Sequence, residues 1–150
     1  MTARAPGTAA PAIPGVAWGP GGSVLFFYKV TCPVCQLAAP AVDTFEQSYP
    51  GRIVGVGQDA PEKLDTFSRT YGQSFRSIPD PPPYPASAGY GIRVVPTLFL
   101  IGPDGIVLRS VESWDREGYN DVSGELAALN DLAYRPISEV GDGLPSFRPG

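Results

Sequence analysis

Histidine is absent from this chain, and with it go the commonest neutral-pH general base and the commonest metal ligand. Ser-His-Asp, Cys-His and histidine-metal chemistries are therefore excluded. Cysteine is scarce: Cys32 and Cys35 are the only two, and a tetrahedral zinc site built on them would need carboxylates or a second chain to complete it. Positive charge is sparse as well. Eleven Lys and Arg against fifteen Asp and Glu give a net charge of −4, and the basic residues are scattered, so no electrostatic footprint for nucleic acid is visible. No apolar run reaches the ~18 residues of a membrane-spanning helix. In "MTARAPGTAAPAIPGVAWGPGG" Pro and Gly recur too often for the apolar core of a signal peptide. These absences set the expectation of no metal, no cofactor, no nucleic-acid partner and no membrane partner. Cytoplasmic residence is the corresponding expectation, and a reducing cytosol argues against a purely structural disulfide.

What the chain does have is 18 glycines and 18 prolines in 150 residues, a share close to that of low-complexity sequence. They concentrate in the first 22 residues, in "IPDPPPYP" from Ile78 to Pro85, and in the tail "GDGLPSFRPG". The length suits one domain with a real core. The expected organisation is a Gly/Pro-rich extension over 1–22, a domain over 23–133, and a tail over 134–150 packed on or trailing that domain.

Between the Gly/Pro clusters the patterning is regular. "SVLFFYKV" (Ser23 to Val30) is a nearly unbroken apolar and β-branched run, as in a strand buried on both faces. Val34, Ala38, Ala41, Val42, Phe45 and Tyr49 recur at helical spacing until "YPG" ends the run. "RIVGVGQD" (Arg52 to Asp59) reads as a second strand, and Pro61 opens a helix that Gly72 terminates. "TLFLI" and "IVLRSV" joined by "GPDG" form a hairpin signal. A final amphipathic helix is expected from about Asp115 to Ala133, with Tyr119, Val122, Leu126, Leu129 and Leu132 on its apolar face. The order β-α-β-α-β-β-α combines a parallel crossover with an antiparallel hairpin, so the class is α/β with a central mixed sheet flanked by helices on both faces.

The two cysteines stand where the first strand meets the first helix. A sulfur at that position sits over unsatisfied backbone N–H groups and the positive end of the helix dipole, which stabilises the thiolate of Cys32. Two intervening residues bring Cys35 within disulfide reach one turn on. A low-pKa thiol with an adjacent resolving thiol is what reversible exchange requires; two inert buried thiols are the bland alternative. "VVPT" (Val94 to Thr97) places Pro96 just before the hairpin strand, where a missing N–H loses nothing.

"FYKVTCPVCQLAAP" taken with "VVPTLFLIGPDG" resembles the thioredoxin superfamily, and within it the TlpA-like, redoxin-type thiol-disulfide oxidoreductases. The resemblance spans roughly Ser23 to Ala133 and implies the thioredoxin fold. It also implies that Cys32 is the attacking nucleophile, Cys35 the resolving thiol, Pro96 a cis proline, and the Val95 backbone a substrate contact. Pro40 stands where such proteins carry a helix-kinking proline. Four positions depart from the usual pattern: Thr31 replaces a tryptophan, Pro33-Val34 replaces the Gly-Pro of thioredoxin itself, and Phe26 replaces its buried aspartate.

The function this implies is a thiol-disulfide oxidoreductase acting through a mixed disulfide, with a disulfide-bearing protein or small-thiol substrate and an upstream thiol reductant or oxidant. Pro33, Val34, Thr31 and Lys29 are the candidate tuning residues, Lys29 because an ammonium three positions before Cys32 can stabilise a thiolate or simply snorkel. Gln58 and Asp59 end the second strand at the same sheet edge and are candidates for the cleft or for a solvated loop. Trp18 and Trp114 fit either a substrate groove or partial core. Two other functions compete. A peroxiredoxin-like peroxidase would carry Thr three positions before its reactive cysteine, and for Cys35 that place is taken by Cys32. A non-catalytic module on the same scaffold would have no need of the intact pair.

Overall fold

The structure is a computed structural model that describes residues 2–150. Five strands form one mixed sheet in the order β3-β2-β1-β4-β5. They are β1 (Ser23–Tyr28), β2 (Ile53–Gly57), β3 (Ser77–Pro79), β4 (Thr97–Ile101) and β5 (Val107–Glu112). β1 pairs parallel with β2 and antiparallel with β4, so it is the central strand and all six of its residues are buried. This is why its sequence is apolar from Val24 onward rather than alternating. Phe26 and Phe27 point to opposite faces. Phe26 joins the core under α1 (Pro33–Ser48) and α4 (Arg116–Leu129), while Phe27 joins a second cluster containing Tyr90, Phe99 and Ile13.

Helix α2 (Pro61–Tyr71) also packs on the Phe26 face through Leu64 and Phe67. It comes close because β2 presents glycine there: a Cβ on Gly57 would strike Leu64. The opposite face is covered by the short α3 (Pro85–Gly89) and by the residues before β1. That N-terminal segment is anchored by buried Ile13, by the Tyr90 hydroxyl donating to Pro11 O at 2.6 Å, and by a bridge from Ala9 to Ile106. Among the described residues no helix is long and apolar enough to cross a membrane.

The expected strands and helices are present with altered ends. β1 stops at Tyr28, two residues short of the apolar run. The proline-rich stretch holds structure that its composition hides: Ser77–Pro79 pairs parallel with β2 as an edge strand, where Pro79 loses no ladder bond. Buried Asp80 then accepts from the amides of Ala86 and Ser87 and from the Ser87 hydroxyl, at 2.7–2.9 Å, and so initiates α3. α4 ends at Leu129. Leu129 and Leu132 are 41% and 53% exposed, so the buried face of this helix stops at Ala127. The Asn130 side chain ends it by donating to Leu126 O and to Gly21 O.

Beyond α4 the chain turns back. Ile137 and Ser138 are buried, and Asp142 accepts from the Ser138 hydroxyl at 2.6 Å and the Leu144 amide at 2.9 Å. The Asp142 carboxyl, exposed but so hydrogen-bonded, is held below its usual range. The chain then pairs β7 (Phe147–Arg148) antiparallel with β6 (Trp114–Asp115).

Candidate active site

Tyr28 ends β1 with its carbonyl accepting from Gln58 N, and the next residues swing out of the sheet. Their course is fixed by two side chains. Asp59, at the end of β2, accepts from Val30 N at 2.9 Å, and Gln36, in the first turns of α1, donates to Val30 O at 2.9 Å. Both backbone groups of Val30 are thereby satisfied outside the sheet. Sequence reasoning offered Asp59 only as a cleft or loop residue and missed Gln36. The one available signal is that parallel neighbours β1 and β2 bring their carboxyl ends together.

Cys32 is the N-cap of α1. Its backbone is extended (φ −83°, ψ 115°), Pro33 follows at the first helical position, and its sulfur accepts from the Cys35 amide at 3.1 Å. Sulfur thus does what a Ser or Asp oxygen does in an ordinary cap. The first turn of α1 carries no acidic residue, so the positive end of the helix is left to this one group. Pro40 lies inside the same helix with its ring exposed, where its missing N–H removes one i→i−4 hydrogen bond.

The two thiols differ sharply. Cys32 is half-buried, Cys35 is fully buried, and both are free thiols. A hydrogen bond from the Cys35 thiol, assisted by the amides of Cys35 and Val34, brings the Cys32 thiol down from 9.0 to about 6 against the cost of partial burial. Burial, reinforced by that same hydrogen bond and by the adjacent negative charge of Cys32, pushes Cys35 far above the ordinary thiol range. Two like groups with widely separated acidities divide the roles of thiolate and proton carrier between them.

Across from the pair lies the loop before β4. Protonated Cys32 donates to Val95 O at 3.4 Å, and the Val95–Pro96 peptide is cis. Thr97 donates to Val94 O, Ser113 N donates to Pro96 O, and exposed Arg93 forms a two-pronged ion pair with Glu112 at 2.7 and 2.8 Å. The loop is therefore fastened on both sides of Val95.

Thr31 and Pro33 are exposed at the rim, and Val34 is partly buried against the core beside Cys35. The Lys29 ammonium lies 5.7 Å from the centre of the Tyr84 ring, a cation–π distance, and the Cys32 shift arises from hydrogen bonds instead. Gln58 donates to Ser87 and so braces α3 rather than the cysteines. Trp114 is fully buried, packed edge-on to Tyr119 at 4.9 Å and donating to Pro145 O at 2.7 Å, which places it in the core. Trp18 packs on the second cluster.

A family model described as the AhpC/TSA family matches residues 18–110. No curated protein matches. Among solved structures, MTB dsbF, determined in mixed oxidised and reduced forms, is 26% identical over 72% of this chain and 80% of its own, with a TM-score of 0.61. A secreted Mycobacterium tuberculosis disulfide oxidoreductase homologous to E. coli DsbE is 23% identical over 71% and 81%, TM-score 0.59. A structure described as thiol:disulfide interchange protein DsbE from Chlorobium tepidum is 21% identical over 83% and 96%, TM-score 0.70. The mixed five-stranded sheet with its flanking helices is the thioredoxin fold of these neighbours.

Proposed function

The chain belongs to the AhpC/TSA family, and from that membership and the asymmetry of its two thiols we propose that it is a thiol-disulfide oxidoreductase working through a mixed disulfide. The Cys32 thiolate attacks one sulfur of a substrate disulfide, forming a Cys32–substrate bond and expelling the other sulfur as a thiolate. Cys35 then gives up its proton and attacks the Cys32 sulfur. An internal disulfide forms, the second substrate thiolate leaves, and the substrate has gained two electrons and takes up two protons. Run in reverse, the same steps deliver a disulfide to a dithiol. The substrate class is a disulfide-bearing protein or a small-molecule disulfide, and an upstream thiol reductant or oxidant closes the cycle.

The observation that carries this reading is the Cys32 sulfur, half-exposed, capped by the Cys35 amide and drawn down to about 6. A thiol so poised is ionised at neutral pH and remains nucleophilic. With Phe26 in place of a carboxylate, the Cys35 thiol is held by its hydrogen bond to the Cys32 thiolate in the resting dithiol, and in the mixed disulfide its proton passes to the departing substrate thiolate. That proton is released when attack on the substrate consumes the charge holding it.

Reduction of insulin disulfides by the dithiol form tests the proposal. Cys32→Ser is expected to abolish it and Cys35→Ser to accumulate a covalent adduct on a non-reducing gel. A normal rate in Cys32→Ser sinks the reading. Peroxide consumption that outpaces disulfide reduction would replace it with a peroxidase.

A further inference from the structure

Ser113 links two parts of the molecule that are far apart in sequence. Its amide donates to Pro96 O at 2.8 Å, and its hydroxyl accepts from Gly150 N at 3.0 Å. Gly150 is thereby seated against the backbone of Val95, so closely that a Cβ added to it would strike the Val95 carbonyl. That carbonyl is the one within hydrogen-bond reach of the Cys32 sulfur. The segment from Ser146 to Gly150 is laid down by main-chain bonds, Arg116 N to Ser146 O at 2.9 Å and the β6–β7 pairing, with the Trp114 indole donating to Pro145 O just before it.

Residues 146–150 are all exposed, and Phe147 is 53% exposed. The segment therefore buries no apolar anchor. Elements held by backbone hydrogen bonds without apolar burial open at low free-energy cost. A polypeptide whose cysteine sulfur is brought to Cys32 must run its flanking backbone past the Val95 carbonyl, because that acceptor adjoins the reactive sulfur. Extended peptides seek such unpaired edges through their own N–H groups.

We propose that Ser146–Gly150 is an internal competitor for the peptide-docking edge at Val95. It covers the edge in the free protein, protein disulfides must displace it, and small disulfides reach Cys32 without doing so. The proposal rests on the exchange reading above. Occupation by the chain's own segment lowers the affinity for a peptide in proportion to the fraction of molecules in which the edge is covered.

Gly150→Val, which the Val95 carbonyl excludes from the seated position, is expected to raise kcat/KM for insulin about tenfold, the effect of relieving a mostly covered edge, and to leave hydroxyethyl disulfide turnover unchanged. Ser113→Ala, which removes the acceptor of the Gly150 amide, should act in the same direction. An insulin rate that is unchanged or lower, or two substrates that rise together, overturns the proposal. A second readout does not depend on turnover. In Cys35→Ser protein, a short cysteine-containing peptide or mercaptoethanol is joined to Cys32 with an activated disulfide, and exchange of the Gly150 amide is followed. Lost protection with the peptide and retained protection with mercaptoethanol support the competitor. Equal protection in both overturns it, even if a failure of insulin reduction has separately removed the exchange reading.

Discussion

The backbone amide of Cys35 donates to the sulfur of Cys32 at 3.1 Å, so the first thiol of the pair caps the helix that carries the second. Capping thus adds to thiolate stabilisation, behind the hydrogen bond from the Cys35 thiol. The cap is stronger when the sulfur is charged, as for any charge-assisted acceptor.

The rate of Cys32 alkylation by iodoacetamide is expected to rise with pH through a midpoint near 6 and then level off, because the thiolate is the reacting form. Cys35 stays unmodified in the folded protein. A midpoint near the ordinary 9.0 would mean that neither the Cys35 thiol nor the cap stabilises the charge.

The same shift links acidity to stability in the reduced protein. The folded pKa of Cys32, about 6, lies below the unfolded 9.0, so the unfolded chain binds more protons between these limits and stability rises with pH across that window. The contribution is lost as pH falls through 6. Above 9, Cys35, which stays protonated when folded, works in the opposite direction. Urea unfolding in the presence of reductant should show the rise between pH 6 and 9, and Cys32→Ser should flatten it.

Stabilising the reduced form makes a thiol pair more oxidising. A nucleophile at about 6 falls between thioredoxin, about 7, and DsbA, about 3.5. The reduction potential is accordingly expected between about −270 and about −120 mV. Equilibration with glutathione measures it, and a value below −270 mV would contradict the acidity described above.

Asp59→Ala should cost about 1 kcal/mol, the value of one hydrogen bond at a group that water can reach, and should lower insulin reduction further than that loss of stability explains, because Val30 leads directly into Cys32. Asp59→Asn keeps an acceptor and should be milder in both respects. Thermal unfolding and turnover, measured on the two variants, separate support of the loop from support of the fold.

Trp114→Ala removes a fully buried indole and is expected to cost ~4 kcal/mol, or roughly 10 °C in melting temperature for a domain of this size. It also removes the donor to Pro145 O. A calorimetric loss below ~1 kcal/mol would place Trp114 outside the core.

The cysteine pair, its helix and the proline before β4 were legible because each is written in a few consecutive residues. β1 was legible because burial on both faces leaves an unbroken apolar run. β3 was not, since three residues ending in proline at a sheet edge carry no period at all, and α3 is started by Asp80 from across a proline cluster. Leu129 and Leu132 kept helical spacing past the point where Asn130 ends the helix, so periodicity outran burial. The linking role of Ser113 depends on Pro96 and Gly150 arriving from opposite directions, which no local pattern encodes.

Thr31 and Pro33 stand exposed on either side of a sulfur whose partner is fully buried. Side chains in solvent can be exchanged with little cost to folding, while spacer and flanking identity tunes a thiolate. Substitutions at Thr31 and Pro33 are therefore expected to move the redox poise while leaving the buried core under the pair unchanged. Poise would then be open to change by a lineage or a designer from the surface.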